Sequence, residues 1–140
     1  MITRNDKYTE TDKRRDFYSD FQTNLTAHPN TQDLVRNTNE EAIKAAIRNL
    51  FLTNRYERLF QPDLFGGIRA LLFEPMLPST ADAIKTLCRQ TIENHEPRAK
   101  IIDVRVVPNE SSNSYRIDVY FYTINSPEPI GLAINLYRVR

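Results

Sequence analysis

The stretch Asn94-His95-Glu96-Pro97-Arg98 marks the point at which a long helical pattern ends and an alternating strand pattern begins. Proline cannot continue a helix, and its ring pushes the preceding Glu96 toward an extended backbone. Glu96 and Arg98 therefore flank a stiff turn, and we call Glu96-Pro97-Arg98 the corner. Its two charges can pair with each other or present a pre-ordered fork to a partner. The simplest interpretation is an ordinary surface ion pair, worth about 0–1 kcal/mol.

Two amphipathic helices are predicted before the corner. One is expected to start at Thr38, with a capping box formed by Thr38 and Glu41, and to end near Thr53-Asn54. The longer one is expected over residues 79–94, with Ser79 and Asp82 as a similar start. A short helix over 68–73 lies between them. The helical spacing predicts these buried residues: Ile43, Ala46, Ile47, Leu50, Phe51, Ile84, Leu87, Cys88, Thr91 and Ile92.

Three strands are predicted after the corner, because apolar residues alternate with polar ones there. The expected inward residues are Ile102, Val104, Val106, Tyr115, Ile117, Val119, Phe121, Leu132, Ile134 and Leu136. Short connections indicate an antiparallel meander. We expect an α+β fold, with helices packed on one face of a three- to four-stranded, mainly antiparallel sheet in a single domain over 17–140. We expect residues 1–16 to form a polar N-terminal arm. Residues 33–36 are expected to form a short strand that pairs with residues 17–21.

Size and charge exclude several classes of protein. A chain of 140 residues fits one domain, and a net charge of +1 argues against a sequence-independent nucleic-acid binder. No apolar run approaches the roughly 20 residues of a membrane helix, and the charged N-terminus does not resemble a signal peptide. We therefore expect no nucleic-acid or membrane partner, and a protein made in a cytoplasm that leaves it only within a larger particle.

No pattern predicts catalysis, a metal site or a cofactor. The lone Cys88 falls on an apolar helix face, and His95-Glu96 lacks the second histidine of a zinc motif because position 99 is Ala. A glycosidase needs two carboxyls about 5–9.5 Å apart, one of them protonated. The neighbouring Arg98 favours the ionised form of Glu96, which is the wrong state for a general acid. We therefore expect no enzyme activity.

Two surfaces are candidates for docking. The last strand, 130–137, is expected at a sheet edge with Ile130, Leu132, Ile134 and Leu136 in alternation, and an open edge can accept a strand from a partner. The alternative is that the N-terminal segment or a loop covers this edge. The second surface combines the corner with the irregular segment 58–66, whose Phe60, Leu64 and Phe65 are apolar enough that we expect packing to hold it.

An ordered set of short motifs resembles the small baseplate wedge subunit of contractile phage tails. The motifs are Arg58-x-Phe60-x-Pro62-x-x-Phe65-Gly66, Leu72-Phe73-Glu74, Pro78-Ser79-Thr80-Ala81-Asp82 and the corner, within residues 38–137. This family includes the corresponding subunit of type VI secretion systems and has been labelled "lysozyme-like".

The resemblance implies a structural role. Its members sit around the tail tube, bind the helical bundle of the larger wedge proteins and template the first ring of the tail sheath. By this resemblance Glu96, Pro97 and Arg98 contact the bundle, Arg58, Phe60 and Pro62 brace them, and the sheet edge pairs with a sheath strand. It implies six copies per baseplate, with wedge proteins, sheath protein and tail tube as partners. The alternatives are a secretion-system baseplate subunit and a peptidoglycan-cleaving glycosidase.

Overall fold

The computed structural model describes residues 17–64, 66–124 and 126–138, so the predicted arm over 1–16 lies outside the described residues. The order of elements is β1 (Ser19–Phe21), β2 (Arg36–Thr38), α1 (Asn39–Leu52), α2 (Ile68–Leu71), α3 (Pro78–His95), β3 (Ala99–Asn109), a 3-10 turn (Glu110–Ser112), β4 (Ser114–Thr123) and β5 (Ser126–Tyr137). None of the helices in the described ranges is long and apolar enough to cross a membrane.

The main sheet has the order β3-β4-β5, and both pairings are antiparallel. This confirms the predicted α+β fold and the meander after the corner. A separate pair is formed by β1 and β2, also antiparallel. The expected pairing with the 17–21 segment therefore exists, but its second strand begins at Arg36 rather than at position 33.

The core lies between the helices and one face of the main sheet. The central strand β4 contributes Tyr115, Ile117, Val119 and Phe121, all buried. They join buried residues of α1, α2 and α3 in one cluster, as predicted for Ile43, Ile47, Phe51, Ile84, Cys88 and Ile92. Ala46 and Leu87, also predicted to be buried, are only half-buried. Complete burial of such a side chain contributes about 1.5–3 kcal/mol, so this cluster supplies most of the driving force for folding.

Strand β3 departs from the predicted alternation. Its pairing with β4 shifts between Ile101 and Asp103, which is a β-bulge. A bulge inserts one unpaired residue and changes which side chains face inward. Ile102 is consequently 41% exposed, whereas Ile101 packs against the core and Val104 is buried. The prediction that Ile102 faces the core was therefore wrong.

Both predicted capping boxes are wrong. Thr38 is the N-cap of α1, but its side chain makes no capping hydrogen bond, and Glu41 pairs with Lys44 at 2.7 Å instead. Helix α3 begins one residue early because Pro78 occupies its first turn, where a missing N–H costs nothing. The Thr80 hydroxyl donates to the Pro75 carbonyl at 2.8 Å and ties the preceding turn to this helix.

Gly66 fixes how the irregular segment meets α1. A Cβ atom placed on it would lie 2.7 Å from the backbone oxygen of Leu50 and 3.1 Å from the Cα of Phe51. Only glycine lets the two backbones approach this closely. The segment is thus seated against the end of α1 at position 66.

Candidate protein-docking site

The corner is held by backbone hydrogen bonds on both sides of Glu96. Its N–H donates to the Ile92 carbonyl at 2.8 Å and closes α3, while its carbonyl accepts from Ala99 N–H at 3.1 Å as β3 begins. The backbone of Glu96 has φ −130° and ψ 73°, outside the helical region as a residue before proline requires. The core helix and the first strand of the sheet therefore both position the corner.

Glu96 and Arg98 form a two-pronged ion pair. Arg98 Nε donates to Glu96 Oε1 at 2.5 Å, and Nη2 donates to Oε2 at 2.6 Å. The Glu96 side chain is only 5% exposed, whereas that of Arg98 is 34% exposed. The hydrogen bond to Glu96 raises the pKa of Arg98 above its ordinary value. An ordinary surface pair is therefore excluded, because removing Arg98 would strand a buried carboxylate.

Tyr18 completes the corner from the far end of the chain. The guanidinium carbon of Arg98 lies 5.2 Å from the centre of the Tyr18 ring, within the range of a cation–π contact. Tyr18 is held in turn by Asn39, whose N–H donates to the Tyr18 carbonyl at 2.8 Å. Sequence reasoning missed this residue because nothing local links positions 18 and 98.

The charges of Glu96 and Arg98 are paired with each other, so the corner offers a partner a fixed arrangement of groups more than an unpaired charge. Pro97 is exposed, and no group within the described ranges accepts a hydrogen bond from Arg98 Nη1. A guanidinium with two donors engaged is a rigid plane that can still donate to a carboxylate or a carbonyl. The arrangement suits protein docking.

The segment with Arg58, Phe60 and Pro62 stands away from the core. All three residues are exposed, and Phe60 is 100% exposed with φ 69°. The expectation that packing holds Phe60 was therefore wrong; Leu64, which is half-buried, and Gly66 anchor the segment, while Phe65 lies outside the described residues. Over the described ranges, no hydrogen bond or ion pair joins Arg58, Phe60 or Pro62 to the corner, so bracing of the corner is not seen.

Strand β5 lies at an edge of the main sheet, next to β4, as predicted. Its Ile130, Leu132, Ile134 and Leu136 side chains are buried against the core. The backbone N–H of Arg138 donates to the Asn113 carbonyl on the β4 side at 3.1 Å. Successive residues of a strand point their backbone groups to opposite sides, so even-numbered residues bond β4 and odd-numbered ones point away.

The backbone groups that a partner strand could bind therefore belong to different residues of β5 from those predicted. Gly131, Ala133, Asn135 and Tyr137 aim their backbone N–H and C=O groups away from β4, and we call them the outer edge of β5. No further strand of the described chain pairs there. The apolar alternation predicted the position of the strand correctly. The residues it selected, however, are the ones whose side chains face the core, and their backbone groups bond β4.

Chemically reactive groups are few. In the described ranges, no three His, Cys, Asp or Glu residues cluster as a metal site. Burial raises the pKa of the Cys88 thiol from 9.0 to about 12, which keeps it protonated and unreactive.

Known proteins resemble this chain in sequence. A family model described as "Baseplate wedge protein gp25" matches residues 37–128, more than half of the chain. The baseplate wedge protein gp25 of Enterobacteria phage T4 is 27% identical over 113 residues, covering 81% of this chain and 85% of that protein.

Two solved structures share the fold. A Geobacter sulfurreducens protein, provisionally described as a tail lysozyme, superposes with a TM-score of 0.69 at 25% identity, covering 76% of this chain and 96% of its own. A chain of the anti-feeding prophage baseplate superposes with a TM-score of 0.61 at 20% identity, covering 88% and 87%. The motif resemblance is thereby confirmed, and the chain belongs to the gp25 family of baseplate wedge proteins.

Proposed function

We propose that the chain is a non-enzymatic wedge component of a contractile tail, docking through the corner onto the helical bundle of the larger wedge proteins. It is assembled in the host cytoplasm, in six copies around the tail tube, and it initiates the sheath through the outer edge of β5. The observation that carries this proposal is the buried, two-pronged Glu96–Arg98 pair in a chain of the gp25 family.

The corner supports docking because it is rigid before the partner arrives. Glu96 orients Arg98, and Tyr18 limits its motion, so little side-chain entropy is lost on binding. The remaining donor, Nη1, then meets an acidic or carbonyl group of the bundle, and the exposed Pro97 ring meets an apolar surface of it. Truncating a desolvated charge at an interface typically costs about 2–5 kcal/mol.

The test is complementation of tails that lack this chain. The variant Glu96→Gln with Arg98→Ala removes the pair without stranding a buried charge. The matched control is Arg116→Ala with Asp118→Asn, which removes another pair two residues apart, with Nε 3.0 Å from Oδ1, on the outer face of the sheet. Electron microscopy counts sheathed tails, and circular dichroism confirms folding. We expect loss of sheathed tails with the corner variant alone, and normal numbers would refute the docking role.

Two other functions make different predictions. A secretion-system baseplate subunit would use the same surfaces, and complementation of a contractile phage tail would then fail even with the wild-type chain. A glycosidase is suggested by the name of the Geobacter relative. Here both Glu96 oxygens are engaged by Arg98, which argues against Glu96 as a proton donor. Release of sugar fragments from purified peptidoglycan by the wild-type chain would overturn the non-enzymatic proposal.

A further inference from the structure

A cleft of about 660 Å³ opens between the end of α1, helix α2 and the end of β5. It shares no residue with the corner or with the Arg58–Pro62 segment, and meets the outer edge of β5 only at Tyr137. The wedge contact proposed above does not use the cleft, and the proposed sheath contact shares only Tyr137 with it.

The charged residues that line the cleft are all basic. Arg55, Arg69 and Arg138 line it, and none of the described Asp or Glu residues does. Arg69 and Arg138 form no ion pair with any described residue. Arg69 and Arg138 thus bring two positive charges to one concavity, where their combined field attracts anions. The lining is therefore complementary to carboxylates, although the whole chain carries a net charge of only +1.

The cleft also exposes aromatic surface. Phe73 and Tyr137 line it, and both are 58% exposed. The guanidinium carbon of Arg138 lies 5.6 Å from the centre of the Phe73 ring, so the ring supports the arginine while the guanidinium edge stays available for a carboxylate. An occupant that satisfies this lining carries an apolar side chain next to acidic ones.

We propose that this cleft docks an acidic segment of a partner protein, with one aromatic or aliphatic side chain flanked by carboxylates. The apolar residue packs on Phe73 and Tyr137, and the carboxylates pair with Arg69 and Arg138. A peptide fits better than a nucleic acid, because a nucleic-acid backbone needs a continuous basic track, whereas this basic lining is confined to a single concavity.

The probe is the capped peptide Glu-Glu-Phe-Glu-Glu, titrated into the full chain at low salt and followed by NMR shifts of Phe73 and the arginine side chains. Two matched peptides replace either every Glu by Gln or the Phe by Ser. We expect saturable binding of the first peptide and at least about tenfold weaker binding of each control, equivalent to about 1.4 kcal/mol.

Arg69→Glu and Arg138→Glu should each weaken binding about tenfold. Arg48→Glu makes the same charge change on an exposed face of α1 that does not line the cleft, and should leave the affinity nearly unchanged. The proposal fails if the acidic peptide does not bind, if the Gln peptide binds equally well, or if both cleft variants bind like wild type. Equal or tighter binding of a short oligothymidylate at this cleft would also overturn it, in favour of a nucleic-acid site.

Discussion

Arg98 lies between Glu96, which takes both its donated hydrogen bonds, and Tyr18, whose ring centre is 5.2 Å from the guanidinium carbon. The segment just before β1 is therefore part of the corner, even though the family model matches only from residue 37. Closing the loop between residues 18 and 98 costs conformational entropy, which the hydrogen bond from Asn39 to Tyr18 and the ion pair of Arg98 with Glu96 help to offset.

Replacing Tyr18 tests this contact. Tyr18→Ala should lower the free energy of unfolding by about 0.5–2 kcal/mol, because a partly desolvated cation–π contact is lost. Tyr18→Phe keeps the ring and should behave nearly as wild type. Urea unfolding monitored by circular dichroism measures both. If Tyr18→Ala were as stable as Tyr18→Phe, Arg98 would owe its position to Glu96 alone.

Sheath initiation should depend on one backbone N–H of the outer edge. Asn135→Pro removes an N–H that points away from β4 and leaves the core side chains in place. We expect tails whose sheath does not start, with wedge binding retained. Asn135→Ala keeps the N–H and should give sheathed tails. A proline at Ile134 would be a poor test, because that residue is buried and its N–H faces β4. Normal sheaths on the Asn135→Pro chain would exclude strand addition at this edge.

Phe60 offers a test of binding that leaves the fold untouched. Since its side chain is fully exposed, Phe60→Ser should leave the free energy of unfolding within about 0.5 kcal/mol of wild type. If the segment is a wedge contact, the same change should weaken wedge binding by about tenfold, as expected for an aromatic residue buried at an interface. Ile124→Ser, at another exposed apolar residue, is the control. Unchanged wedge affinity would remove Phe60 from the docking surface.

Cys88 should report unfolding. Cys88 is completely buried, and its pKa near 12 leaves very little thiolate at pH 8, so the folded chain should react with a thiol reagent only as fast as it opens. A raised folded pKa stabilises the fold fully below the unfolded value of 9.0, and this contribution is lost as the pH rises from there toward 12. Labelling kinetics at pH 8 in increasing urea check the first point. Rapid labelling without denaturant would show that Cys88 is accessible in the native state.

The periodic spacing of apolar residues within single elements predicted the helices and the meander. The wrong predictions concern features that depend on contacts between elements. The inward faces of α1 and α3 and the alternation of β4 follow from spacing within one element, which a single sequence displays. The bulge that turns Ile102 outward depends on how β3 pairs with β4, and the Tyr18 contact depends on where β1 lies. The exposure of Phe60 could not be predicted from its apolar character, because folded proteins also expose apolar side chains.

Among candidate site residues, the corner was identified by proline chemistry and charge, both of which are local. The alternation of apolar and polar residues shows which side chains of β5 face the core. It does not show which backbone groups point away from β4, because backbone groups alternate in the plane of the sheet and side chains alternate perpendicular to it. The basic cleft was missed altogether, since Arg55, Arg69 and Arg138 come together only after α1, α2 and β5 have packed.

The internal neutralisation of Arg98 by Glu96 also bears on the speed and order of assembly. An ion pair whose two charges neutralise each other exerts little long-range attraction, so docking at the corner, as proposed, should proceed at the slower rate of unsteered collisions and respond weakly to ionic strength. In the proposed docking, recognition at the corner would then depend on fit after contact, and correct partners would differ from incorrect ones mainly in their dissociation rates.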